Sequence, residues 1–208
     1  MRAVAPMVFI VDDDPSVQKS LTRLLASAGY AVEAFASARE FLARERYNGP
    51  SCLVLDVRMP GLTGLELQEA LLAAGRRMSI VFITGHGDVP MSVRAMKGGA
   101  VDFLTKPFDV KALLKTIQRC VTKDAQDLGE EARVTEIQER VKILTRRETE
   151  VFALVVTGML NKQIAFELGI SEKTVKVHRA RVMEKMRAGS VAELVRLADR
   201  LGVIVPKS

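Results

Sequence analysis

Cysteine is nearly absent: Cys52 and Cys120 are the only two in 208 residues, too few for a disulfide framework or a four-ligand zinc site. A reduced, cytoplasmic setting is expected. No apolar run approaches the ~18 residues of a membrane-spanning helix, so a soluble protein without a membrane partner is expected. The N-terminus imitates a signal peptide only briefly. Arg2 precedes the apolar stretch Ala3–Val11, but Pro6 interrupts it, three aspartates follow, and no small-residue cleavage site appears. Internal repeats and low-complexity tracts are missing as well. What remains is globular in proportion, 48% hydrophobic and 27% charged, which excludes disorder as the main state. The length gives room for one large domain or two small ones.

Charge is unevenly placed along the chain. Residues 1–122 carry 15 Lys and Arg against 12 Asp and Glu, residues 123–143 carry 4 against 6, and residues 144–208 carry 12 against 7. Within Ser171–Arg187 six basic residues stand against two acidic ones. So dense a basic block points to a polyanion; a solvated helix face is the alternative.

The first 122 residues alternate short apolar runs with longer amphipathic ones. Val8–Val11, Ala31–Phe35, Cys52–Leu55, Ile80–Ile83 and Val101–Leu104 read as strands, four of them apolar enough for burial on both faces of a parallel sheet. Between them lie helices with readable starts. Ser37 with Glu40 and Thr63 with Glu66 are capping boxes, Asp88 precedes a helix with Pro90 in its first turn, and Asp109 begins the last helix of this half. Five βα units make a doubly wound α/β domain with a five-stranded parallel sheet.

After Val121 the strands stop. Residues 123–143 are polar, and Val134, Ile137, Val141 and Leu144 follow a 3-4-3 spacing, with Ala125, Leu128 and Ala132 in another phase. This is a helical linker, either a short coiled coil or a plain solvated helix. Residues 144–208 read as all-helical. Thr145 with Glu148 and Ser190 with Glu193 are capping boxes, and Gly158 and Gly202 are stops. Asn161 caps a short helix ending at Gly169, and Ser171 caps a longer one to about Arg187. Helix, glycine turn and helix have helix-turn-helix spacing.

In an open α/β sheet, ligands sit beyond the C-terminal strand ends. Strand one ends in Asp12, Asp13 and Asp14, strand three in Asp56 and strand four in Thr84, and Lys106 follows strand five. With strands one and three as neighbours, three or four carboxylates converge, which a hard cation would neutralise. The hydroxyl and the lysine would suit a phosphoryl group. In the competing reading each carboxylate caps a helix: Asp13 or Asp14 suits the helix at Pro15, whereas Asp56 precedes no obvious helix. A phosphoryl site is favoured. His86, in a glycine-flanked loop, is read as varying the rim rather than as a base.

The strings VDDD, LDVRMPGLTGLEL, FITGHGD and FLTKPF arrive in the order of a two-component receiver domain, and residues 7–122 resemble that flavodoxin-like family. GHGDVPMSVRAMKGGAVDF resembles the FixJ group of response regulators in particular. The resemblance implies that Asp56 is the phosphoacceptor, and that Asp12, Asp13, Asp56 and the Arg58 backbone carbonyl hold Mg²⁺. It implies too that Lys106 and Thr84 meet the phosphoryl oxygens and that Phe103 is the switch aromatic. A cis Lys106–Pro107 peptide is also implied.

In the Ser171–Arg187 helix, Val175, His178, Val182 and Met186 recur at 3-4-4 spacing and form the inner face, so His178 belongs to the core rather than to a metal. Lys173, Thr174, Lys176, Val177 and Ala180 lie outward, suiting a major groove. Arg179 and Arg181 lie on the flanks, where phosphates would be. LTRRETEVFALVVTGMLNKQIAFELGISEKTVKVHRARVMEKM resembles the LuxR/NarL-type helix-turn-helix, which implies Lys176 and Val177 in the groove. Val191, Leu194, Val195 and Ala198 line one side of the final helix. In the family that helix pairs two DNA-binding domains; covering its own core is the alternative.

The expected organisation is therefore a receiver (1–122), a helical linker (123–143) and a LuxR-type DNA-binding domain (144–208). The expected function is a phosphorylation-dependent transcriptional regulator. Its partners would be a cognate sensor histidine kinase, double-stranded promoter DNA, a second copy on phosphorylation, and RNA polymerase. It is not expected to turn over an external substrate. An aspartyl-phosphate phosphatase would carry a second acid-base Asp where Arg58 stands. A phosphorylation-independent DNA binder would not need the intact set Asp12, Asp13, Asp56, Thr84 and Lys106.

Overall fold

The structure, a computed structural model, describes residues 5–85 and 89–202. His86 and the expected cap Asp88 lie outside the described residues. Among those described, the chain divides into two compact units, Met1–Leu128 and Gly129–Ser208.

The first unit holds β1 (Met7–Val11), β2 (Ala31–Phe35), β3 (Ser51–Asp56), β4 (Ile80–Thr84) and β5 (Asp102–Thr105) in one parallel sheet of order β2-β1-β3-β4-β5. Between them run α1 (Pro15–Ser27), α2 (Ala38–Ala43), α3 (Gly64–Ala73) and α4 (Val89–Lys97), and α5 (Val110–Lys142) follows β5. Two apolar layers face each other across the sheet. Phe9, Phe41, Leu53 and Phe82 lead one, and Val8, Ile10, Leu25, Val54 and Ile117 lead the other. Only β3 and β4 are buried along their whole length, with β1 nearly so. β2 and β5, the two edges of the sheet, have no buried residue, so fewer than four strands are buried on both faces, and β5 begins one residue later than expected, at Asp102. An edge strand covers one flank less, so its apolar run reflects one-sided packing. Both cysteines are buried and unbridged.

Four expected capping boxes divide into two kinds. Thr63 with Glu66 and Thr145 with Glu148 make both reciprocal bonds. Ser37 and Ser190 accept from the N–H of Glu40 and Glu193, but those glutamates reach one residue further back, to the N–H of Ala36 and Gly189. The serines have φ of −156° and −151° against −71° at both threonines. That rotation turns the cap's own N–H away, so the preceding amide takes the carboxylate.

The second unit packs α6 (Arg146–Val156), α7 (Asn161–Leu168), α8 (Glu172–Met186) and α9 (Val191–Arg200) around Phe152, Ile164, Val175, Val182 and Leu194. Ile137, Val141 and Leu144 join this core, so most of the 3-4-3 stripe is covered by its own unit and is not a free coiled-coil seam. Arg140 Nη1 also donates to the Met186 carbonyl at 3.1 Å, at the C-terminal end of α8. Upstream, Asp124 accepts from the Ser51 N–H at 2.8 Å and so ties its stretch of α5 to the first unit. On α9, Leu194 and Ala198 are fully buried in the same core, and Val191 and Val195 pack partly buried against it. No helix among the described residues is long and apolar enough to cross a membrane.

Candidate functional site

β1 and β3 are neighbours in register, Val11 opposite Leu55, and this pairing brings their C-terminal ends together. An open pocket there is lined by Asp12, Asp13, Asp14, Val17, Asp56, Arg58, Thr84, Gly85 and Lys106. Asp12, Asp13 and Asp56 each place one carboxylate oxygen within 4.8 Å of the others. Lys106 Nζ donates to Asp12 Oδ2 at 2.7 Å and to Asp56 Oδ2 at 2.8 Å. The second oxygens are held by the backbone: Asp14 N–H donates to Asp12 Oδ1 at 2.9 Å, and Arg58 N–H to Asp56 Oδ1 at 3.0 Å. The Lys106–Pro107 peptide is cis.

Of the two aspartates that suited a helix cap, Asp14 takes the role, accepting from Ser16 N–H at 2.8 Å. Asp13 is left exposed at the pocket. Thr84 is buried at its inner wall. Phe103 does not line the pocket; it packs on Phe82 in the core, ring centroids 6.2 Å apart. Gln18, which the sequence reading passed over, donates to the Asp12 carbonyl at 2.6 Å and steadies the pocket floor.

The site carries more negative charge than its lysine can balance. Burial raises the Asp12 carboxyl above its usual value; Lys106 and the Asp14 amide oppose the rise, and the Asp56 charge adds to it. Burial works against the Lys106 ammonium too, but its bonds to Asp12 and Asp56 outweigh that and raise its pKa. Several hard carboxylate oxygens around one cation form a donor set that fits a hard divalent metal. No Cys or His lines the pocket among the described residues.

The second candidate surface is α8. The turn into it uses Gly169 at φ 63°, a left-handed conformation that favours glycine, and Ser171 caps the helix from Thr174 N–H at 3.1 Å. Val175, Val182 and Met186 are fully buried and His178 is half-buried beside them. Lys173, Thr174, Lys176, Val177, Ala180 and Arg181 are exposed on the outer side. The Thr174 hydroxyl lies 2.8 Å from that of Ser171. Arg179 is half-buried, and its Nη1 donates to Asn161 Oδ1 at 2.8 Å. Asn161 is thus not the cap it resembled. Leu160 holds the cap position, and its N–H donates to Gln163 Oε1 at 2.7 Å.

Beneath α8, Lys185 Nζ donates to Glu148 Oε2 at 2.6 Å and to the Ile143 carbonyl at 3.1 Å. Glu148 was legible as half of a capping box, but Lys185 lies 37 residues away and no local spacing joins them.

Comparison with known proteins covers both units. The family model for the response regulator receiver domain matches residues 8–118, and the model for bacterial regulatory proteins of the luxR family matches residues 142–198. Nodulation protein W of Bradyrhizobium diazoefficiens is 49% identical over 95% of this chain and 87% of its own. Transcriptional regulatory protein FixJ of Azorhizobium caulinodans is 46% identical over 94% of this chain and 93% of its own. A solved structure of the response regulator StyR superposes with a TM-score of 0.86 at 48% identity, covering 95% of this chain and all of that one. These families comprise transcriptional response regulators, not enzymes acting on an external substrate. With a receiver pocket in one unit, a helix-turn-helix in the other and near-half identity along most of its length, the chain belongs to the response regulators that join a receiver to a LuxR-type DNA-binding domain, and is a transcriptional regulator.

Proposed function

We propose that a histidine kinase phosphorylates Asp56, and that the phosphorylated receiver dimerises and so promotes promoter binding through α8. The observation that carries this reading is Lys106 Nζ bridging Asp12 and Asp56 at the floor of an open pocket. An Asp56 carboxylate oxygen attacks the phosphorus of a phosphohistidine. The P–N bond breaks, the imidazole leaves with the electron pair, and an acyl phosphate remains on Asp56. Asp12, Asp13, Asp56 and the Arg58 carbonyl are the groups that would hold Mg²⁺. When bound, Mg²⁺ supplies charge neutralisation at the equatorial phosphoryl oxygens. Lys106 contributes a second positive charge there, and Thr84 offers its hydroxyl. Thr84 lies one strand from Phe103, so movement of the first changes the packing available to the second.

Dimerisation is supported by α4, where Val89, Val93 and Met96 are 74%, 45% and 48% exposed at i, i+4 and i+7. Paired receivers would raise the local concentration of the second DNA-binding unit. Lys176 and Val177 would then meet base edges, with Lys173, Thr174 and Ala180 beside them and Arg181 at a phosphate. RNA polymerase is the partner through which a promoter-bound dimer acts, and the setting is the cytoplasm.

Sedimentation and duplex binding, each with and without beryllofluoride as a phosphoryl mimic, test the whole sequence. Beryllofluoride with Mg²⁺ should tighten both the dimer and the DNA complex. Asp56→Asn should respond to neither and should take no label from acetyl phosphate. Labelling of Asp56→Asn at the wild-type rate would move the acceptor elsewhere. An unchanged dimer constant with tighter DNA binding would replace dimerisation by relief of an inhibitory contact.

A further inference from the structure

Arg179 and Arg181 flank the same outer side of α8 and carry the same charge, so spacing alone assigns both to DNA phosphates. The structure separates them. Arg181 is exposed and has no hydrogen bond or ion pair with any described residue. Arg179 is half-buried and bonded to Asn161 Oδ1 at 2.8 Å. We propose that Arg179 is a positioning residue, acting on DNA recognition through Asn161, and that of the two arginines only Arg181 contacts phosphate. The proposal rests on the reading of α8 as the DNA-contacting helix.

The geometry explains what such a bond does. Asn161 opens α7 and Arg179 sits at the middle of α8, whereas the chain joins the two helices at the opposite end of α7, through Gly169. Ile164 and Val175, which lie along the two helices between these points, are both fully buried in the apolar core that α7 and α8 share. A turn at one end and an apolar contact in the middle leave a rocking motion of one helix against the other. A bond at the far end removes it. The donor is a guanidinium, so the bond is charge-assisted and directional, and its partial burial shields it from salt. A recognition helix held at a fixed angle keeps all its side chains in register with the base edges. Losing the brace would blur discrimination without removing a phosphate contact.

The two roles differ in salt dependence. Each phosphate neutralised releases counterions and adds about 0.9 to the slope of log affinity against log salt. A positioning residue adds nothing to that slope. The test uses the full chain with two duplexes, one selected by the wild type from a random pool and one of the same length with scrambled sequence. Affinities are measured over a salt series for Arg179→Ala, Arg181→Ala, Asn161→Ala and the double variant Arg179→Ala with Asn161→Ala.

Arg181→Ala should weaken both duplexes alike and lower the slope by about 0.9. Arg179→Ala should lose about tenfold on the selected duplex, the scale of one charge-assisted hydrogen bond. On the scrambled duplex it should lose far less, with the slope unchanged on both. Asn161→Ala should match it, and the double variant should be no weaker than either single, because both remove one bond. Asn161→Ala also guards against a folding artefact. It leaves the Arg179 charge in place and frees it, so a phosphate role predicts unchanged or tighter binding. A slope lowered by about 0.9 in Arg179→Ala, with Asn161→Ala at wild-type affinity, would overturn the proposal. A wild type with no salt-dependent affinity for either duplex would overturn the DNA-contacting reading of α8, and the proposal with it.

Discussion

Each unit of the molecule sets buried carboxylate against one lysine, Glu148 in the second and Asp12 with Asp56 in the first, and Glu148 and Asp12 are driven in opposite directions. Glu148 in the second unit is held down to about 2, first by its bond from Lys185 and then by the Thr145 N–H. Asp12 in the first unit is raised, first by burial, with the Asp56 charge adding to the effect. The side chains are nearly equally hidden, 2% and 1% exposed. What differs is the balance between burial and pairing: at Asp12 burial outweighs what Lys106 and the Asp14 amide return, whereas at Glu148 the bonds from Lys185 and the Thr145 N–H outweigh it. Lys185 serves one carboxylate and one carbonyl, whereas Lys106 is divided between Asp12 and Asp56, with Asp13 close by. A satisfied buried pair is a staple. A buried cluster with surplus negative charge is one that could hold a cation, and perturbed carboxylates of that kind gather where chemistry is done.

The comparison breaks most visibly at Lys185. Lys185→Ala would leave the buried Glu148 charge without its cation, and removing one partner of such a pair costs about 3–5 kcal/mol. Hydrogen exchange at core amides of α6 and α8 should register that loss, while amides of β1 and β3 keep their protection. A loss below about 1 kcal/mol would place the pair among solvent-screened surface bridges.

A smaller effect should appear on acidification. The Glu148 carboxyl titrates near 2 when folded against a usual 4.5, so the folded state binds its proton more weakly than the unfolded chain does. Its contribution is therefore complete above pH 4.5 and is lost as pH falls through about 2. Glu148→Gln should destabilise the second unit by about 1.5–3 kcal/mol at neutral pH, the range for hydrogen bonds to charged groups. The gap from wild type should close as the pH approaches 2. Urea unfolding at a series of pH values checks this, and a gap constant from neutral to acid pH would remove Glu148 from the account.

The contrast also explains what could be read from the residues in order. The five strands, the acidic strand ends and the helix-turn-helix spacing were legible because periodicity, caps and strand ends are local. Lys106 could be placed at the pocket because parallel strands deliver their C-terminal ends to one edge. The staple was not legible, since Glu148 and Lys185 meet only after α6 packs on α8. The Arg179–Asn161 bond was hidden for the same reason, and Asn161 was misread because asparagine before a helix ordinarily caps it. The stripe Val134, Ile137, Val141 and Leu144 gave the right periodicity but no indication of what covers it. A 3-4-3 pattern serves a partner helix and a small domain core equally well.

The smallest expected effect is also the one with the opposite sign. Asp12→Asn removes a buried charge that its surroundings disfavour, yet an asparagine oxygen can still accept from Asp14 N–H, and Lys106 keeps its bond to Asp56. Without divalent cations the first unit should therefore be no less stable than wild type, because the charge removed is one that burial disfavours. Added Mg²⁺ should reverse the order. A ligand bound only by the folded state stabilises it by about 2.7 kcal/mol at one hundred times its dissociation constant, and the variant has lost one of the carboxylates that would hold it. Thermal unfolding in chelator and then in Mg²⁺ measures both arms on the same samples. If Asp12→Asn proves less stable in chelator by a kilocalorie or more, Asp12 is a staple like Glu148, and the surplus-charge account of the pocket fails. If the order holds in chelator and reverses in Mg²⁺, the negative charge that costs the receiver stability is the charge that binds its metal.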